Sequence, residues 1–223
     1  MFYLKNVKNH LFFDGYSLAE KDLKEEKNVK KLLDEINEKI FNNKGKIKLI
    51  PYFDGKIKTD GGVSGLIIGN NFHFTCHTFC YKNTVFIDYF GPETRKKTVL
   101  NIILDNFKTD DYDLGLSDIK GNFGKHIIIH PKAISLEEAK KKVLLILKEI
   151  DMTPICDFIV NEKNNSSFDI LQPIAESHIS FHRKGDSMVV DAFSCKYFDV
   201  EKFLKLFKEV DTYIEVNRGI RYK

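Results

Sequence analysis

Apolar and polar residues alternate along this chain with two periods, and the order of those periods occurs twice. Alternation with period two marks a half-buried strand. It runs through NHLFFDG (9–15), KIKLIPYF (46–53), GVSGLIIGNNFHFTCHTF (62–79) and NTVFIDYF (83–90). Between the first two segments, Leu32, Leu33, Ile36 and Ile40 fall at helical spacing and predict a helix over 17–42. A second helix is predicted from Pro92 to about Phe107. After a charged, turn-rich seam at 108–124 the order restarts with KHIIIH (125–130) and a helix opened by Ser135 and Glu138, a capping-box pair. PICDFIV (154–160), FDILQPIAESHISFH (168–182) and SMVVDAFS (187–194) follow as strands, then a helix near 199–209 and a last strand, TYIEVNRGI (212–220). His178 lies 105 positions after His73, His182 the same distance after His77, and Ser180 shares the register of Thr75. Asp88 and Asp191 are 103 apart, which requires only a turn two residues shorter in the second half. An internal duplication accounts for these matches.

Composition narrows the class. The 223 residues, 43% hydrophobic and 30% charged, are those of an ordinary globular protein. The net charge of +3 is spread through interleaved Lys and Glu, as in SLAEKDLKEEKNVKK, so no basic stripe points to nucleic acid. Lys and Asn interrupt the apolar residues of the first segment, unlike a signal peptide, and no run reaches the roughly 18 apolar residues of a membrane span. Cys76, Cys80, Cys156 and Cys195 form no dense disulfide framework, and a reducing, cytoplasmic setting is expected.

Candidate chemistry concentrates at 174–195, IAESHISFHRKGDSMVVDAFSC. A strand pair that could be plain core places an acid, a hydroxyl, an imidazole and a thiol at Glu176, Ser177, His178 and Cys195. GVSG, the apolar run and the histidines of 62–79 resemble one segment of the prokaryotic S-adenosylmethionine decarboxylases. ESH with its second His and the Asp-x-x-x-Cys strand resembles that family's self-cleavage region. The resemblance implies an α+β fold of two antiparallel β-sheets packed face to face with helices on the outer faces, in αββα order. It implies one decarboxylase-like repeat over 1–110, with a degenerate cleavage site, and a second over 120–223 that carries the pyruvoyl serine. It also implies cleavage between Glu176 and Ser177, giving chains of 176 and 47 residues. The cofactor is then a pyruvoyl group self-generated from Ser177, with neither PLP nor metal. The ketone takes a substrate amine as a Schiff base and serves as electron sink for loss of carbon dioxide. Cys195 would protonate the resulting carbanion.

Strand parity constrains the partners of Ser177. His182 is five residues away, on the opposite face of a regular strand, so a helper must come from elsewhere. The first repeat has Asn71, Phe72 and Pro92 at the glutamate, serine and thiol positions and cannot make a pyruvoyl. It keeps Ser64 and His77, which match the family's processing serine and histidine, whereas the second repeat has Asp169 at the Ser64 position. Each half is decayed where the other is intact, so one composite site per chain is expected, with Ser177 and Cys195 facing Ser64 and His77. Other readings are weighed beside this one. A lone Cys195 on an apolar strand is more often core. His10 and His126, before apolar strands, read as structural, and RKG (183–185) reads as a hairpin turn. Zinc binding by His73, Cys76, His77 and Cys80 is opposed by parity, which puts the histidines and cysteines on different faces.

Substrate recognition departs from the family pattern. The two adenine-stacking aromatics fall at Lys58 and near Ile128, and the ribose-binding glutamate at Tyr81, unless Phe53 or Phe79 takes over the stacking. The default expectation is a decarboxylase of S-adenosylmethionine in polyamine (spermidine) synthesis, a small-molecule enzyme that could pair as a homodimer of two-repeat chains. The alternatives are a pyruvoyl-dependent decarboxylase of a basic amino acid such as arginine or ornithine, and a non-catalytic relative that regulates an active enzyme.

Overall fold

The computed structural model describes residues 9–53, 61–114, 123–175, 177–194 and 197–219. By internal contacts the chain divides into two units, 1–117 and 118–223. The first contains β1 (His10–Gly15), α1 (Glu20–Lys24), α2 (Glu26–Lys39), β2 (Lys46–Phe53), β3 (Gly61–Gly69), β4 (Phe72–Phe79), β5 (Thr84–Phe90), α3 (Lys96–Phe107) and β6 (Tyr112–Leu114). The second contains β7 (Phe123–Pro131), α4 (Leu136–Glu149), β8 (Ile159–Asn164), β9 (Ser167–Ile174), β10 (Ser177–Lys184), β11 (Ser187–Ser194), α5 (Val200–Lys205) and β12 (Val210–Gly219).

Each unit builds one six-stranded sheet in which every pairing is antiparallel. The strand orders are β2-β3-β4-β5-β1-β6 and β8-β9-β10-β11-β7-β12, which coincide strand for strand. Duplication therefore holds at the level of topology, in an α+β fold with two antiparallel sheets. Register carries it to single residues: Ser64 faces His77 as Asp169 faces His182, and Thr75 faces Asp88 as Ser180 faces Asp191. The β4–β5 connection spans residues 80–83 and the β10–β11 connection only 185–186, two residues shorter, as the 103-residue offset requires.

Strand parity gives each sheet two faces of different character. In the first unit Phe13, Val63, Ile67, Phe74, Cys76 and Ile87 form one cluster with Val29, Leu32, Leu33 and Ile36 of α2 and with Ile102 and Ile103 of α3. In the second, Ile127, Ile170, Ile179, Phe181 and Val190 cluster with Ala139, Val143 and Ile146 of α4. The opposite faces gather the polar side chains, namely His10, His73, Thr75, His77 and Asp88, then His126, Asp169, His178, Ser180, His182 and Asp191, all of them buried.

Three local expectations change. The helix expected over 17–42 is interrupted at Glu25, whose φ of −85° and ψ of 114° are extended. Its apolar stripe starts in earnest only at Val29. The strand expected over 154–160 begins at Ile159, and Pro154, with no N–H to donate, makes a single isolated bridge to Ile174. The long runs 62–79 and 168–182 are each two strands, because β3 and β4, like β9 and β10, turn back on each other. The Ser135–Glu138 box is formed as read: Ser135 Oγ accepts from the Glu138 N–H and Glu138 accepts from the Ser135 N–H. No described helix is long and apolar enough to cross a membrane.

Candidate active site

The GVSG motif in β3 has a packing reason for its glycines. A Cβ on Gly65 would lie 2.5 Å from Val29 and 2.9 Å from Leu33, so α2 can reach the sheet only over a bare backbone. A Cβ on Gly62 would lie 1.8 Å from the Thr78 carbonyl oxygen. Held between these two contacts, Ser64 points to the polar face, where its Oγ lies 2.9 Å from Nδ1 of His77 on β4. His77 is buried and Ser64 half-buried. A serine bonded to one ring nitrogen fixes the imidazole's orientation.

The matching pair in the second unit is Asp169 and His182, with Oδ1 2.7 Å from Nδ1. Asn161 donates to the other Asp169 oxygen at 3.3 Å. The change from Ser64 to Asp169 thus keeps a partner for the histidine but replaces a hydroxyl with a buried carboxylate. Removing His182 leaves that carboxylate with less compensation. His182→Ala is expected to lower stability by about 1–3 kcal/mol, the usual cost of leaving a buried polar group without its hydrogen-bond partner. A fall in the urea midpoint at unchanged slope would show it.

Ser177 opens β10, opposite Ile174 on β9 and Ser194 on β11. Parity would place it with Ile179 and Phe181 on the helix-covered face. Instead it adopts φ 153°, a positive value that L residues rarely hold, and its Oγ lies 3.2 Å from His178 Nδ1. Such a backbone costs about 1–3 kcal/mol and persists where the surroundings impose it. Ser177 is 1% exposed. In the first unit the same register position, opposite Gly69, holds Phe72. That ring stacks on Phe41 at 3.7 Å between centroids, and Gly69 is the space it needs. Position 72 is a core anchor, and no hydroxyl is available there.

Each polar face also carries a buried carboxylate between two imidazoles. Asp88 lies 3.0 Å from His73 Nε2 and 3.9 Å from His10 Nδ1. Asp191 lies 2.7 Å from His126 Nε2 and 3.7 Å from His178 Nε2. His10 and His126, read from sequence as structural, are therefore carboxylate partners, and a phenylalanine faces each in register, Phe90 and Phe193. The repeat offset had already paired Asp88 with Asp191. What it lacked was the β1 and β7 partners, which sit at a different offset.

Cys76 and Cys80 belong to the helix-side core, where burial pushes the Cys76 thiol well above its ordinary range. His73 and His77 lie on the other face, so the four residues of the zinc reading are divided as parity predicts. Glu176, Cys195 and Lys58 lie outside the described residues, as do the side chains of Tyr81 and Phe53. Ile128 is buried on β7, and Phe79 is engaged edge-on with Phe86 at 5.2 Å.

Residues 9–117, the unit that holds Ser64 and His77, match the family described as S-adenosylmethionine decarboxylase. Among solved structures, the chain is similar to the adenosylmethionine decarboxylase from Aquifex aeolicus VF5. The identity is 18%, over 51% of this chain and 94% of that one, with a TM-score of 0.38. No curated protein matches. Through residues 9–117, then, the chain is similar to the S-adenosylmethionine decarboxylase family.

Proposed function

We propose that the chain is a decarboxylase whose electron sink is a pyruvoyl group made from Ser177 by self-cleavage after Glu176. The observation that carries this is the placing of Ser177: a strained, buried serine at the first position of β10, its hydroxyl bonded to an imidazole, in a chain whose residues 9–117 match this family. A pyruvoyl group supplies a ketone that binds an amine and accepts the electrons released with carbon dioxide. Around it the protein positions groups. Ser64 orients His77, and that histidine assists the processing of Ser177, a role the second unit gave up when Asp169 took the serine's place. Cys195 returns a proton to the substrate carbon.

S-Adenosylmethionine is the default substrate of this reading, with a role in polyamine synthesis. The positions where the family stacks adenine weigh against a nucleoside, since Ile128 offers no ring and Phe79 is committed to Phe86. A stacked aromatic contact contributes about 0.5–1.5 kcal/mol beyond its area. Two lost contacts and a lost charge-assisted hydrogen bond weaken affinity by about a hundredfold. Release of labelled carbon dioxide from carboxyl-labelled S-adenosylmethionine, arginine, ornithine and lysine, compared side by side on cleaved protein, tests the assignment. Turnover of at least one supports a decarboxylase. Exclusive, efficient use of S-adenosylmethionine would show that other rings hold the adenine, and turnover of a basic amino acid alone would assign the altered pocket to that substrate. Cleaved protein inert toward all four would overturn the proposal.

A further inference from the structure

We infer that His178 is a catalytic residue for the first step of self-cleavage, with Asp191 and His126 as positioning residues behind it. The inference rests on the self-cleavage reading and adds a base from the serine's own unit. Ser177 Oγ lies 3.2 Å from His178 Nδ1, His178 Nε2 lies 3.7 Å from Asp191 Oδ1, and the same oxygen accepts from His126 Nε2 at 2.7 Å. All four side chains are at most 1% exposed. They sit on adjacent strands β10, β11 and β7, where His178, Phe193 and His126 form one cross-strand row. For Nδ1 to accept from the serine hydroxyl, the ring proton must be on Nε2, the atom turned toward the carboxylate. The imidazolium formed on taking the serine proton is then stabilised by a buried opposite charge, the logic of hydroxyl–imidazole–carboxylate nucleophiles generally.

The first unit supplies an internal comparison. It has the same frame, His10, His73, Asp88 and Phe90, but Phe72 in place of the serine. There the carboxylate is bonded at 3.0 Å to His73, the histidine next in sequence to that phenylalanine, and stands 3.9 Å from His10. In the second unit the preference is reversed. The carboxylate is bonded to His126, and the histidine beside the serine keeps it at ion-pair distance while its Nδ1 meets the hydroxyl. The other imidazole of β10, His182, has its Nδ1 on Asp169.

The step balances without a co-reactant. The Oγ proton passes to His178 Nδ1, and Oγ bonds to the Glu176 carbonyl carbon. The Glu176–Ser177 C–N bond breaks as the proton is delivered to the nitrogen. An amide becomes its isomeric ester, with nothing oxidised or reduced.

The test uses the full chain. His178→Gln is expected to cut at least 10²-fold more slowly than wild type, and hydroxylamine, which splits esters, should release no fragment from it at 176/177. Added imidazole should restore part of the rate to His178→Gly, which loss of a purely structural ring would not predict. Asp191→Asn should slow cutting by about tenfold or more, and its double variant with His178→Gln should be no slower than His178→Gln alone, as groups acting in series behave. If glutamine at 178 fails to fold, Nδ1-methylhistidine at that position keeps the ring and blocks only the atom facing Ser177, with the same loss expected. A folded His178→Gln or methylhistidine chain that cuts at the wild-type rate, ester in the His178→Gln chain, or losses that multiply in the double variant would overturn the inference while leaving the pyruvoyl reading intact. A wild-type chain that never cuts would remove both.

Discussion

His77→Ala is expected to leave the bond between Glu176 and Ser177 largely uncut although the substitution is in the other unit. The motive is the pairing of losses. The first unit keeps the Ser64–His77 hydrogen bond at 2.9 Å but has Phe72 stacked into its core where a serine would be needed. The second has the serine but a carboxylate at 2.7 Å on the corresponding histidine. Removing a positioned acid or base slows a reaction about 10²–10⁴-fold, and the cleavage half-time of His77→Ala should lengthen within that range. Ser64→Ala leaves the imidazole in place without its orienting partner, and about a tenfold slowing is expected of a lost orienting hydrogen bond. Time courses of fragment appearance on a denaturing gel measure both. His182→Ala, despite its stability loss, should cut faster than His77→Ala. Cutting abolished by His182→Ala and untouched by His77→Ala would make the second unit self-sufficient in this respect.

Cys195→Ala should separate the two proposed reactions, self-cleavage and decarboxylation. Ser194, the residue before it, is the cross-strand partner of Ser177. The thiol therefore follows, in sequence, the residue paired with the cleaved serine. On the proposed reading, a donor there takes no part in making the pyruvoyl group but returns a proton to the decarboxylated carbon. Self-cleavage should proceed at nearly the wild-type rate, while turnover of the preferred substrate falls about 10²–10⁴-fold. Turnover at the wild-type rate would make Cys195 a packing residue, the usual fate of an apolar-strand cysteine.

Much of this was legible in the sequence because strands leave a period-two trace and a duplicated strand leaves it twice. The 105-residue offset between the histidines of β4 and β10 is realised as identical cross-strand registers, Ser64 with His77 and Asp169 with His182. The shorter second turn was also readable, from Asp88 and Asp191 alone. The carboxylate frames were not. His10 meets Asp88, and His126 meets Asp191, across strand pairs β1–β5 and β7–β11 that the chain brings together only after several intervening elements. Periodicity assigns a residue to a face but not to a neighbouring strand. The backbone at Ser177 was hidden for a related reason. Parity assumes regular strand geometry, and φ 153° at the first residue of β10 departs from it. The break at Glu25 and the late start of β8 are local choices of the kind that tertiary packing overrides.

The most direct measurement is the intact mass of the purified protein. Self-cleavage predicts two chains, of 176 and 47 residues, the smaller beginning at position 177 with a ketone in place of an amine and gaining mass on borohydride reduction in the presence of an amine. A single chain of 223 residues with an unmodified Ser177, persisting under every condition of temperature and incubation tried, would contradict the account.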